Sequence, residues 1–362
     1  MRAGNFELEP ELEGFQARVR EAVAELVAPQ AREADEAGGF QRDVVEALAA
    51  TGLPAWALDR GPLALSVFYE ELGRADSSVR GFFTVQLGLV LTCLRKAGSP
   101  EAEDVAQVRK IGCYALTEPE AGSDVRSMKT RAEPANGGWV LNGEKHWITN
   151  GGVADLALVF AAADAGITCF LVSTDTPGLE RTPMPGRELG HRASDHVHMK
   201  FRDVAAEPVG EVGGGYRMAM EALSHGRLGV ASGAVGIHQA CLDACVDFAR
   251  TRRQFGQRIG DFGMIQGALA DMKAELDASR LLARRAACSM DAQDLAVAKL
   301  YCCDAAVRAA DQAILLHGAR GYSSEYPVER YWRDAKGMQI YEGTAHIQRL
   351  IVARTLLGKP DA

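Results

Sequence analysis

Glu342 stands in the stretch YEGTAHIQR (341–349), between an aromatic ring and a glycine, ahead of an apolar helix-like run. A carboxylate at a helix start is ordinarily a surface acid favoured by the helix dipole. It can also be a general base facing a substrate C–H bond, and then the neighbour without a side chain, Gly343, leaves room for close approach. Gly122 and Ser123, in CYALTEPEAGSD (113–124), form a turn whose backbone N–H groups can meet a phosphate; alone it would be a plain loop. Trp147 and Thr149 lie in KHWITNG (145–151), where the bland reading of Trp147 is a core aromatic. Arg250, Arg252, Arg253 and Arg258 cluster around Gln254 and Phe255 in RTRRQFGQRIGDFGMIQ (250–266). A guanidinium's fixed donor fork suits a pyrophosphate, although such a run is also a common solvated surface. His238, Cys241 and Cys245 share one helix face, a conceivable metal edge, but small buried residues there read as packing, and no metal is expected.

In this order, the four stretches holding Ser123, Trp147, Arg252 and Glu342 resemble the acyl-CoA dehydrogenase family, and the resemblance runs from YEELGRADSS to the C-terminus. It implies FAD as cofactor. By resemblance, Tyr114, Leu116, Thr117, Gly122 and Ser123 lie along the flavin and its pyrophosphate, Trp147 covers the isoalloxazine and the Thr149 hydroxyl approaches N5. Arg252, Gln254 and Phe255 would reach the FAD of a neighbouring subunit, as would the turn of Gly318 and Gly321, with Thr344 and His346 completing the cofactor set. Ser123, Ser224, Arg227, Tyr341 and Gly343 are the implied substrate contacts.

Glu342 is then the base that takes the α-proton of an acyl thioester while flavin N5 accepts the β-hydride. Desolvation should raise its pKa towards the working pH. Some family branches carry the base in the segment equivalent to LSHGR (223–227), where this chain has Gly226, so Glu342 has no rival. Ser224 replaces a frequent Asp that touches CoA in some members. That leaves the carrier as CoA or an acyl carrier protein, as in members from polyketide precursor pathways that oxidise short polar acyl groups. Arg181, Arg187, Arg192 and Arg227 are candidates for a patch docking an acidic carrier. The family's electron acceptors include an electron-transfer flavoprotein, and its members are homodimers or, more usually, homotetramers. The alternatives are an oxidase that uses O2 and a catalytically silent scaffold of the same fold.

These residues need three positioning units. The chain has 362 residues, 47% apolar and 24% charged, as a globular protein does. A net charge of -8 argues against nucleic acid or anionic lipid as partner. No apolar run of membrane-spanning length is expected, and the acidic N-terminus lacks a signal core, so the expected location is the cytoplasm. Eight cysteines without a Cys-x-x-Cys pair are no disulfide framework. The fold class read from pattern is mainly α with a β domain. Residues 1–112 form an N-terminal helical domain, with Phe15, Val19, Ala22, Val23 and Leu26 at helical spacing. Residues 113–208 form a small antiparallel β domain, with an Asn142-Gly143 turn between short strands and ADAG between two buried ones. Residues 209–362 hold long amphipathic helices that close, with 343–357, into a four-helix bundle.

Overall fold

The first helical spacing is realised as helix Pro10–Leu26, which buries Phe15, Val19 and Val23 and opens on a proline whose missing N–H costs nothing in the first turn. The computed structural model of the protein describes residues 7–135 and 137–358; the first six residues of the acidic N-terminal stretch lie outside them. Helix Pro62–Ala75 is buried over most of its length. Asp76 then caps helix Ser77–Phe83, its Oδ1 accepting Ser78 N at 2.7 Å and Val79 N at 2.9 Å. The same helix widens to a π-helical stretch over Thr84–Val90 and tightens again as Leu91–Ala97. Widened turns of this kind often mark functional sites. Contrary to the expectation from sequence, the run Ser77–Ala97 is apolar and long enough to cross a membrane, but 89% of its most apolar 18-residue window is buried inside the protein.

The β domain closes on itself. Strand Leu156–Ala163 pairs with Gly166–Ser173 through the expected turn, and that strand pairs with His196–Pro208. His196–Pro208 pairs with Gly138–Thr149, which pairs with Arg131–Ala135, which returns to the first strand at Arg131 and Ala162. A small barrel results, filled by residues such as Leu141, Phe160, Phe170 and Met199. Two details differ from the sequence reading. Strand Gly112–Ala115 lies parallel to Leu156–Ala163, because it enters from the helical domain and the chain crosses over before returning. Asn142-Gly143 is no hairpin turn but a bulge inside the single strand Gly138–Thr149. The Asn142 amide exchanges two 2.9 Å hydrogen bonds with Asp203 on the facing strand, and a Cβ on Gly143 would lie 2.6 Å from Thr130 Cα.

The bundle consists of helices Gly215–Thr251, Gly263–Ser289, Ala292–His317 and Ala345–Leu357, with the short helix Val328–Met338 against them. Small residues let the N-terminal domain press closely onto it. A Cβ on Gly73 would lie 2.4 Å from Gly233 O, and one on Gly236 would lie 2.1 Å from Glu70 O. This close crossing brings the π-helical stretch against Gly226–Gly233 of the longest helix.

Candidate active site

Glu342 sits in the turn between helices Val328–Met338 and Ala345–Leu357, and both it and Gly343 take left-handed backbone, with φ 56° and 84°. That conformation is strained for a glutamate and persists only when the surroundings hold it. Here they do. Buried Lys299 donates from Nζ to Met338 O at 3.1 Å and Gly343 O at 2.7 Å. Gln348 Nε2 donates to Glu342 O at 3.2 Å and Gly343 O at 2.9 Å, and Thr344 Oγ1 caps the next helix by accepting Ile347 N. Gly343 serves the turn itself: a Cβ there would also lie 2.7 Å from Gln348 Nε2. The glycine that makes room for the carboxylate is Gly226, whose added Cβ would lie 2.5 Å from Glu342 Oε2. The position that carries no acid thus faces the one that does.

Glu342 Oε2 is buried with no hydrogen-bond partner. Burial pushes its pKa up to about 7, while Lys299, Arg227 and Arg80 pull the other way. The Tyr341 hydroxyl accepts from Arg80 Nη2 at 2.6 Å and lies 3.2 Å from His191 Nε2, itself 3.0 Å from Asp334 O. Burial lowers His191 to about 3, so this ring is neutral. Arg227 is buried beside Glu342 and Tyr114, its Nε unpartnered, and burial lowers its pKa. Ser224 Oγ bonds only Met220 O, one turn back on its own helix.

A second wall is built by the barrel. Lys145, fully buried, donates to Glu118 Oε1 at 2.7 Å and Leu116 O at 3.0 Å, and His146 N donates to Thr117 O at 2.9 Å. These bonds pin residues 116–118 to strand Gly138–Thr149. The strand shifts register between Lys145 and Ile148, and Trp147, with φ 58°, is thrown outward, 53% exposed. Tyr114 is buried behind, its hydroxyl donating to Ala219 O at 3.2 Å. Gly122 and Ser123 are exposed, and a Cβ on Gly122 would meet nothing within 4 Å. Among the described residues, the hydroxyls of Thr117, Ser123 and Thr149 have no hydrogen-bond partner. An outward aromatic ring beside unpartnered hydroxyls and open backbone suits a flat cofactor with a polar tail.

The remaining sequence-derived residues lie on the bundle's outer ends. Arg252 ends helix Gly215–Thr251, and Gln254 belongs to a two-stranded hairpin whose tip carries Phe255, 93% exposed. Gly318 and Gly321 flank a short turn after helix Ala292–His317. Thr344 and His346 line an open groove with Asp304, Arg308, Lys336 and Arg349. No hydrogen bond or ring contact joins Arg252, Gln254 or Phe255 to Trp147 or Thr149 among the described residues. The four arginines proposed to dock an acidic carrier differ in setting. Arg181 bonds Gly151 O and Ala154 O, Arg187 bonds Glu36 O, Arg192 bonds Glu188 O, and Arg227 is buried. Arg80, Lys145, Lys299 and Gln348 were not singled out from sequence. For Arg80 and Lys299, the available signal was a lone cation within an apolar helical run.

Family models for the acyl-CoA dehydrogenase N-terminal, middle and C-terminal domains match residues 9–105, 113–204 and 213–357. The chain belongs to the acyl-CoA dehydrogenase family. It is 40% identical over 346 residues to the mitochondrial short-chain specific acyl-CoA dehydrogenase of Mus musculus, covering 91% of this chain and 82% of that one. Its fold is similar to that of glutaryl-coenzyme A dehydrogenase in complex with glutaryl-CoA, at TM-score 0.94 and 32% identity, covering 98% and 97% of the two chains. It is also similar to a prolyl acyl carrier protein oxidase, at TM-score 0.90 and 27% identity, covering 97% and 100%. Acyl-CoA dehydrogenases are flavin-dependent oxidoreductases acting on CH–CH bonds, so this chain is an enzyme of that class with FAD as its cofactor.

Proposed function

We propose that this acyl-CoA dehydrogenase family member desaturates an acyl thioester at its α,β bond, with Glu342 as the base. The observation that carries this reading is the buried, unpartnered Oε2 of Glu342, set against Gly226 and lifted to about 7. An acyl α-proton is a weak acid, so a base with a raised pKa in a shielded site suits its removal. The Glu342 backbone N–H has no acceptor among the described residues and is free to hold the thioester carbonyl as it becomes an enolate. Lys299 and Gln348 hold the turn that presents both groups. Tyr341, tied to Arg80, and buried Arg227 flank the acyl thioester, with Ser123, Ser224 and Gly343 as the remaining proposed substrate contacts.

FAD, when bound, supplies the acceptor for the β-hydride. Tyr114, Leu116, Thr117, Gly122, Ser123, Trp147 and Thr149 would hold it from the barrel. Arg252, Gln254, Phe255, Gly318, Gly321, Thr344 and His346 would serve a neighbouring subunit's FAD, which makes the working form a homodimer or homotetramer. The exposed Phe255 tip supports that reading. The substrate carrier is CoA or an acyl carrier protein, which share the phosphopantetheine arm, and the proposed setting is the cytoplasm.

The test is anaerobic bleaching of the flavin by short acyl groups on either carrier. Bleaching supports the reading, and a flavin that none of them reduces would overturn it. The likeness to a carrier-protein oxidase favours a second reading, with O2 instead of an electron-transfer flavoprotein as acceptor. Stoichiometric hydrogen peroxide in air would select it.

A further inference from the structure

His238, Cys241 and Cys245, the conceivable metal edge of the sequence, do not bring their ligand atoms together. Among the described residues, one group of three His, Cys, Asp or Glu side chains does so, and it is a different one: Glu144, His146 and His198, with all three ligand atoms within 4.8 Å of one another. It stands on the outside of the barrel. Glu144 and His146 are two apart in strand Gly138–Thr149, so they share the face opposite buried Lys145. Buried Met199 faces Lys145 from strand His196–Pro208, so His198 takes the outer face beside them. At the register shift between Lys145 and Ile148 the two imidazoles meet edge to face, their centroids 4.1 Å apart at 66°.

The spacing of the three donors suits an ion. Glu144 Oε2 lies 2.9 Å from His198 Nε2 and 3.9 Å from His146 Nε2. Donors held tetrahedrally at about 2.1 Å from a zinc ion lie about 3.4 Å apart, midway between those values. His146 Nε2 is buried and has no hydrogen-bond partner. Lys200 stands opposite Glu144 in the strand register, yet among the described residues it makes no ion pair with it. The carboxylate therefore turns to two imidazoles and not to the ammonium across from it, and one of those imidazoles offers a nitrogen that no described residue uses.

We propose that Glu144, His146 and His198 bind a divalent transition-metal ion, zinc or a close analogue, on the outer wall of the barrel. Two imidazoles and one carboxylate suit such an ion, whereas Mg2+ and Ca2+ prefer oxygen ligands, and a water would fill the fourth position. Bound there, the ion joins strands Gly138–Thr149 and His196–Pro208 one residue from Trp147. It is a fastener for the bulge that throws that ring outward, and the proposal stands independently of the dehydrogenase reading.

The experiment titrates tag-free, chelator-treated, FAD-loaded protein with Zn2+ in a calorimeter, just above neutral pH, where the imidazoles compete least with protons. One ion per chain should bind at micromolar metal, and the melting temperature should rise with it. His146→Ala and His198→Ala should each weaken binding at least about tenfold and abolish the rise in melting temperature, and Glu144→Gln should weaken binding as well. Cys288→Ser, which removes the exposed thiol, should leave binding unchanged. Should His146→Ala fail to fold, His198→Ala and the size-preserving Glu144→Gln decide. No stoichiometric binding, binding that survives the histidine changes, or binding lost with Cys288→Ser would each overturn the site.

Discussion

At the residue scale, the proposed base is one carboxylate, and three groups and its burial decide whether it can act. Lys299 and Gln348 fix the left-handed turn, Gly226 clears the space, and burial sets the proton affinity. The sign of the pH dependence follows. A general base must be ionised, and Glu342 ionises as the pH rises through about 7. The rate of flavin reduction should therefore climb across neutral pH and level off above it. An acid near its usual 4.5 would give a flat profile over the same range, and stopped-flow reduction across a pH series separates the two. Glu342 stood out in the sequence as a candidate because its motif stands among three others in order, and the structure buries its Oε2. The turn role of Gly343 was not legible, because a glycine that serves a left-handed turn and one that clears a pocket look identical in a sequence. Lys299 was illegible for a different reason: its acceptors lie 39 and 44 residues further along the chain.

At the element scale, the barrel holds the wall that carries Trp147, and the Lys145–Glu118 pair holds the barrel strand to residues 116–118. Both partners are buried, at 0% and 4% side-chain exposure, so removing one leaves an uncompensated charge. Lys145→Met should cost about 3–5 kcal/mol, and the double change with Glu118→Gln should recover part of it. Melting temperature and flavin content would fall together in the single variant; a variant as stable and as yellow as wild type would refute this positioning role. Hydrophobic period made the helices legible, since Phe15, Val19 and Val23 are all buried as their spacing required. It could not tell the Asn142-Gly143 bulge from a hairpin, because both want an asparagine and a glycine. Nor could it show strand Gly112–Ala115 running parallel, since four buried residues carry no record of a partner over forty positions away.

At the scale of the whole molecule, a buried site meets a bundle whose outer ends stay apolar. Phe255, Met264, Leu315 and Tyr322 are 93%, 90%, 67% and 88% exposed. An apolar surface of this kind suits contact with another subunit. If Arg252 serves a neighbour's FAD, Arg252→Ala should lose flavin while keeping its fold, as read by absorbance and circular dichroism. A monomer by light scattering that retains a full complement of FAD would contradict the shared site. Everything else depends on Glu342 being the base. The direct measurement is the anaerobic rate of flavin reduction in Glu342→Gln, using whichever acyl thioester bleaches the wild type. Gln keeps the size and removes the proton acceptor, so we expect a folded, yellow protein whose reduction is slower by about 10² to 10⁴-fold. Reduction at a near-normal rate would show that another residue takes the proton.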